Sequence, residues 1–264
     1  MRKSPPHGPK PAPAAANPRR ALILGGTREA RDLARLAARR PEVDAVLSLA
    51  GRTAAPLETE LPTRIGGFGG VEGLSRYLAE NRFDCVLDAT HPFAARISAN
   101  ARAACAALSL PLATLARAPW RAQEGDDWIV VEDNAEAVAA LGEAPRRVFL
   151  TIGRLGVAAF RRAPQHDYLI RSIEPPDASE LPRRAEVVLA RGPFALADEI
   201  ALMRARGIEV VVSKNSGGPL TYAKIEAARA LQIPVVMVAP PAGEGVAVVE
   251  SLDAAINFLV GGAA

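Results

Sequence analysis

The sequence predicts an α/β protein of two domains, each a mainly parallel sheet flanked by helices. Three observations carry that prediction. Short, nearly continuous apolar runs alternate with helical patterns through most of the 264 residues. Ala21-Leu22-Ile23-Leu24-Gly25-Gly26-Thr27-Arg28-Glu29 passes abruptly from such a run into a Gly-rich turn and a helix. Val211-Val212-Ser213-Lys214-Asn215-Ser216-Gly217-Gly218 does the same near the other end of the chain. Turns of this kind present backbone N–H groups to an anion, and two of them suggest a cofactor site on one half and a substrate site on the other.

The elements follow in order. Strands are expected at Ala21 to Leu24, Ala45 to Leu49, Pro62 to Ile65, Cys85 to Asp88 and Pro111 to Leu115, with helices at 28–40, 71–81 and 94–108 between them. Apolar strands separated by helices signify a parallel sheet covered on both faces. Between Ala116 and Glu143 the composition shifts to Pro119, two tryptophans and clustered acids. That stretch reads as a crossover with a strand at Trp128 to Val131 and a short helix at 135–141. Strands then recur at 148–151, 168–171, 186–190, 209–213 and 235–238, with helices at 194–206, 221–231 and 251–260. The expected organisation is a disordered tail over 1–19, a first domain over 20–116, a linking region over 117–145 and a second domain over 146–264.

Composition narrows the function classes. The overall charge of +3 includes five positive residues in the tail, Arg2, Lys3, Lys10, Arg19 and Arg20, so the rest of the chain carries about −2 and is not a nucleic-acid surface. No apolar stretch is long enough for a membrane helix. Cys85 and Cys105 read as buried thiols in a reducing cytoplasm. No metal cluster, Cys or Ser nucleophile set, or Walker A pattern is present.

The loops between elements carry the chemistry. Gly25 and Gly26 permit a tight turn close to a pyrophosphate, and Thr27 caps the helix or donates its hydroxyl. The third glycine of the full dinucleotide fingerprint is missing. The second strand ends in Ser48-Leu49-Ala50-Gly51-Arg52-Thr53 with no acid for a ribose hydroxyl, so Arg52, with Ser48 and Thr53, favours NADPH. Gly66-Gly67-Phe68-Gly69-Gly70 is a loop able to wrap a ligand, with Phe68 placed to cover a flat ring. In Asp88-Ala89-Thr90-His91-Pro92-Phe93-Ala94, Thr90 is expected to cap the next helix and Pro92 to sit in its first turn, leaving His91 at the mouth of the crevice. His166 lies in a polar linker. Thr151-Ile152-Gly153-Arg154 and Ala190-Arg191-Gly192-Pro193-Phe194 repeat the strand-to-turn pattern. Lysine is used four times in all, yet Lys214 and Lys224 fall close together, with Tyr222 between them.

The ordered set of these motifs, from Gly-Gly-Thr-x-Glu at 25–29 to Ser-Lys-x-Ser-Gly at 213–217, resembles the precorrin-6A reductase family of cobalamin biosynthesis over about residues 20 to 240. The resemblance implies a cytoplasmic, NADPH-dependent enzyme that reduces one carbon–carbon double bond of precorrin-6A to give precorrin-6B. It also implies two Rossmann-like domains with the active-site cleft between them. The family's cofactor motif falls on Gly25, Gly26 and Thr27, its Ala-Gly-Arg segment on Arg52 and its Thr-His-Pro segment on Thr90 and His91; Ser48, Thr53, Gly67, Phe68 and Thr90 are the further expected cofactor contacts. Its second loop falls on Ser213, Lys214, Ser216 and Gly217. One departure is visible: Ala239-Pro240 stands where relatives tend to carry Arg-Pro.

The implied substrate carries many carboxylates, which Arg117, Arg154, Arg191 and Lys214 would meet at the rim. The balancing proton is left to Lys214, Tyr222, His91 or water. Transient contact with neighbouring pathway enzymes is a further expectation, with no nucleic-acid or membrane partner. Two alternatives stay open. One is a cobalt-precorrin-6A reductase; the other is a non-catalytic nucleotide-binding regulator, which would bind tightly without redox change.

Overall fold

A computed structural model describes residues 17–51, 59–241 and 245–262. The first half runs β1 (Arg19–Leu24), α1 (Arg28–Ala37), β2 (Val43–Leu49), β3 (Thr63–Ile65), α2 (Val71–Glu80), β4 (Cys85–Asp88), α3 (Ala95–Leu108) and β5 (Leu112–Leu115). Next come β6 (Trp128–Val131), α4 (Asn134–Ala140), β7 (Arg147–Thr151), a 3₁₀ segment (Arg154–Arg162), β8 (Asp167–Ser172) and β9 (Ala185–Leu189). The chain closes with α5 (Leu196–Ala205), β10 (Val210–Lys214), α6 (Ala223–Ala230), β11 (Val235–Val238), β12 (Ala247–Val249) and α7 (Leu252–Leu259).

Two six-stranded sheets result, ordered β12-β5-β4-β1-β2-β3 and β6-β11-β10-β7-β8-β9. Their strand pairs are parallel. Each follows the doubly wound order 3-2-1-4-5-6, with ligand crevices expected where the order reverses, between β1 and β4 and between β7 and β10.

The sixth strands are exchanged. β6 follows β5 in the chain but completes the second sheet beside β11, and β12 follows β11 but completes the first sheet beside β5. This corrects the domain expectation. The linking region 117–145 holds β6 and α4, which belong to the second sheet, and the end of the second domain, 146–264, supplies β12 and α7 to the first. α7 packs its Ala255, Ile256, Phe258 and Leu259 into the same cluster as Leu33 and Ala37 of α1.

Strand residues alternate between faces, which explains why both faces read as apolar. Ala21 and Ile23 enter the cluster with α1 and α7, while Leu22 and Leu24 enter the one with α2 and α3. In β10, Val210 and Val212 face one cluster and Val211 the other. Each such valine, leucine or isoleucine side chain stabilises by about 1.5–3 kcal/mol relative to exposure. Both cysteines are buried among these clusters, and burial pushes their thiols up to about 11.

Other expectations shift locally. β1 begins at Arg19, inside the stretch read as tail. Arg19 donates to the Phe258 carbonyl of α7 at 2.7 Å, and Arg20 pairs with Asp44 at 2.8 Å. Both are part of the fold. The 3₁₀ segment 154–162 was not expected, because its Val157 and Phe160 are buried on a short pattern that lacks a helical repeat. His166, read as a linker residue, is fully buried and packs edge-on against Tyr168. Burial lowers its pKa, so it contributes stability that is lost as pH falls below the ordinary histidine range.

Candidate active site

At the carboxyl end of β1, Gly26 takes φ +126° and has no atom within 4 Å of where a Cβ would stand, so the bare backbone of the turn faces open space. Thr27 caps α1. Its Oγ1 accepts from the Ala30 N–H at 3.0 Å and donates to the Ala89 carbonyl at 2.9 Å, fastening the turn to the end of β4. The hydroxyl is thereby committed. The first-turn amides of Arg28 and Glu29, which helix geometry leaves without carbonyl partners, are the donors available to an anion.

The end of β4 is built around buried Asp88, whose Oδ1 accepts from the Thr90 N–H at 3.0 Å and from Thr90 Oγ1 at 2.6 Å. Thr90 therefore does not cap α3. That helix starts at Ala95, with Ala94 at its N-cap and Pro92 outside its first turn, because the Asx turn at Asp88 takes the threonine hydroxyl instead.

The Gly66–Gly70 loop is organised by Arg64, which sequence reasoning did not single out. Its guanidinium lies 3.9 Å from the Phe68 ring centroid and donates to the carbonyls of Gly66 at 2.5 Å and Gly67 at 2.7 Å. The Tyr77 ring lies 5.3 Å from Phe68 at a tilt of 53°, and the Arg64 guanidinium is also 5.2 Å from the Tyr77 centroid, so the three groups form one cluster.

These loops surround a cleft of about 1070 Å³. Of the expected site residues, Gly25, Gly26, Thr27, Ser48, Gly67, Phe68, Thr90, His91 and Arg191 line it. Arg52 and Thr53 lie outside the described residues. Lys214, Tyr222, Arg117, Arg154, Ser213, Ser216 and Gly217 do not line it, but several stand close behind. The Lys214 ammonium lies 4.9 Å from the ring centroid of Phe93, itself a cleft residue packed against the second sheet's core. Ser213 Oγ and Ser216 Oγ both donate to the Lys214 carbonyl, at 3.2 and 3.3 Å, and so shape the loop. Arg154 is half-buried at the end of β7, without an ion-pair partner among the described residues.

Arg117 pairs with Glu29 of α1. Tyr222 stacks on Trp120 at 5.4 Å, and its hydroxyl accepts from Arg229 at 2.8 Å, while Arg229 also grips Asp126. That network gives Tyr222 a structural role. Tyr222→Phe is expected to cost about 1 kcal/mol of stability, read from a denaturant midpoint, while turnover stays within about twofold.

Electrostatics distinguishes His91 from Lys214. His91 is exposed and lines the cleft, with the Phe93 ring 5.9 Å from its own. Desolvation, then the positive charges of Arg117, Lys214 and Lys224, hold its pKa down at about 4. Its Nδ1 accepts from the Phe93 N–H at 3.2 Å, which leaves the proton of the neutral ring on Nε2. Burial also lowers the pKa of Lys214, making its ammonium a stronger acid than that of an exposed lysine.

A family model described as "Precorrin-6x reductase CbiJ/CobK" matches residues 20–260. The chain belongs to the precorrin-6x reductase family. Among its relatives, a precorrin-6A reductase of Sinorhizobium sp is 51% identical, covering 90% of this chain and 91% of that one. A precorrin-6A reductase of Rhodobacter capsulatus is 48% identical over 91% of this chain and 95% of its own. A cobalt-precorrin-6A reductase of Priestia megaterium is 28% identical over 90% and 97%. The solved structure titled "CobK precorrin-6A reductase" superposes with a TM-score of 0.84 at 48% identity, covering 92% of this chain and 98% of that one.

In this precorrin-6x reductase family member, sequence reasoning missed Arg31, Arg96 and Leu155, all of which line the cleft. Arg31 sits one turn into α1 beyond the Gly-rich loop, a spacing that would have flagged it. Arg96 and Leu155 carried no such signal, since their places depend on how the two sheets face each other.

Proposed function

We propose that the chain reduces one carbon–carbon double bond of precorrin-6A to give precorrin-6B, with NADPH as the reductant. The carrying observation is the cleft itself. Its volume of about 1070 Å³ lies just above the roughly 300–1,000 Å³ usual for one small ligand, and residues of both halves line it, as two ligands side by side require.

The described residues fit a dinucleotide. The Gly25–Gly26 turn and first-turn amides of α1 suit the pyrophosphate, Ser48 and Arg31 the ribose end, and Phe68 a flat ring. Reduced nicotinamide, when bound, supplies the hydride that adds to one carbon of the double bond. Lys214, whose ammonium stands behind Phe93 at the cleft wall, is the candidate to supply the proton for the other carbon; neutral His91 donates a hydrogen bond through Nε2. On the second sheet, Leu155 and Arg191 line the cleft, and Ile173 and Leu189 are exposed at the same carboxyl edge. Aliphatic side chains there suit the faces of a macrocycle, while Arg191, Arg154 and Arg96 suit its carboxylates.

The relatives support the cobalt-free substrate, since those named precorrin-6A reductase are 48–51% identical and the cobalt-precorrin-6A reductase 28%. The test supplies precorrin-6A or its cobalt form with NADPH or NADH and follows nucleotide oxidation by absorbance. Fastest turnover is expected with NADPH and the metal-free macrocycle. Binding of nucleotide without oxidation under any pairing would leave the regulator reading standing instead.

A further inference from the structure

We propose that Glu29 and Arg117 are positioning residues. Their ion pair clamps the loop carrying Lys214 onto the helix that begins at the dinucleotide turn. Glu29 lies in the first turn of α1, two residues after Thr27, and Arg117 lies in the segment that leaves β5 for the second sheet. The pair is largely sheltered, the arginine and glutamate side chains being 18% and 29% exposed.

From Arg117 the connection runs directly into the 213–218 loop. The next residues dock on it through Trp120, whose N–H donates to Asn215 Oδ1 at 2.7 Å while its carbonyl accepts from Asn215 Nδ2 at 2.9 Å. The Trp120 indole N–H donates to the Gly218 carbonyl at 2.7 Å. A Cβ at Gly217 would come within 2.5 Å of the Ala118 carbonyl oxygen. One at Gly218 would stand 3.5 Å from Arg117 Cδ and 4.0 Å from Glu29 Oε1. The loop's glycines let it close over the ion pair, and Asn215 follows Lys214 directly.

The pair also settles a charge conflict. A carboxylate in the first turn suits the helix dipole but opposes an anion bound at the same turn, and the Arg117 guanidinium neutralises it. Arg117 lies near enough to help depress His91 as well. Its effect on the reaction is therefore exerted through Lys214 and His91, without contact to substrate.

The clamp itself can be seen without turnover, so its failure and the failure of the reductase reading are distinguishable. The variants are Glu29→Gln, Arg117→Gln, the double change, and the charge reversal Glu29→Arg with Arg117→Glu. Hydrogen exchange should show amides of residues 213–218 opening about tenfold faster in Glu29→Gln, although that residue lies on the other sheet's helix. With precorrin-6A and NADPH, kcat should fall about tenfold with the macrocycle KM nearly unchanged, the two single variants and the double should lose alike, and the reversal should recover part of the rate. Additive losses, or unchanged exchange at 213–218, would overturn the proposal. So would a raised macrocycle KM in Arg117→Gln with Glu29→Gln silent, which would make Arg117 a direct carboxylate ligand.

Discussion

Arg171→Met is expected to destabilise the protein by about 3–5 kcal/mol, the cost of leaving a buried charge without its partner. Arg171 on β8 grips Glu199 on α5 with both terminal guanidinium nitrogens, and the two side chains are only 7% and 2% exposed. The guanidinium is packed between Phe194 at 3.8 Å and Phe149 at 4.9 Å, so no water can replace the lost contact cheaply. Denaturant midpoints check the value, and adding Glu199→Gln should return much of the loss.

Lys224 sharpens the same prediction. It is 4% exposed, donates to the Thr221 carbonyl at 2.7 Å and faces the Trp120 ring at 4.9 Å. Burial, then the charge of Arg171, lowers its pKa to about 7, while Glu199 acts in the opposite direction. Between pH 7 and 10.5 the unfolded chain holds a proton on this lysine that the folded chain has released, so stability should rise with pH across that window. In Arg171→Met the rise should start at higher pH, because one cause of the depression has gone.

Lys214→Met is expected to lower kcat about a hundredfold, as loss of a proton donor in the transition state does, while nucleotide affinity stays within about twofold. The donor must be protonated, so the wild-type rate should fall as pH rises through its pKa. Burial places that fall below the range of an exposed lysine. Stopped-flow single turnover over a pH series would show the alkaline limb, and the limb should vanish in the variant. An unaltered limb would assign it to another group.

What could be read in the chain and what could not divides along sequence distance. β4 at Cys85–Asp88, β6 at Trp128–Val131 and β11 at Val235–Val238 lie where their apolar runs place them, because a strand buried on both faces is written in its own residues. β12 escaped because Ala247–Val249 is three residues long, with two of them exposed, and becomes a strand only through its pairing with β5. The Gly25–Gly26 turn and the Phe68 loop were legible for the same local reason. The partners that govern the second half of the site were not. Glu29 meets Arg117 and Asn215 meets Trp120 across most of a domain's length, and Arg171 meets Glu199 from strand to helix; nothing in either member of a pair announces the other.

The traded edge strands have a mechanical meaning for the cleft. Two stretches of chain cross between the halves, one leading from β5 to β6 and the other from β11 to β12. A single tether would let the halves swing apart in any direction; two tethers leave chiefly one rotation, about the line that joins them. The traded strands thus restrict how the halves can be arranged, and the apposition of the glycine turn of one with the lysine loop of the other is written into the path of the chain as well as into side-chain contacts.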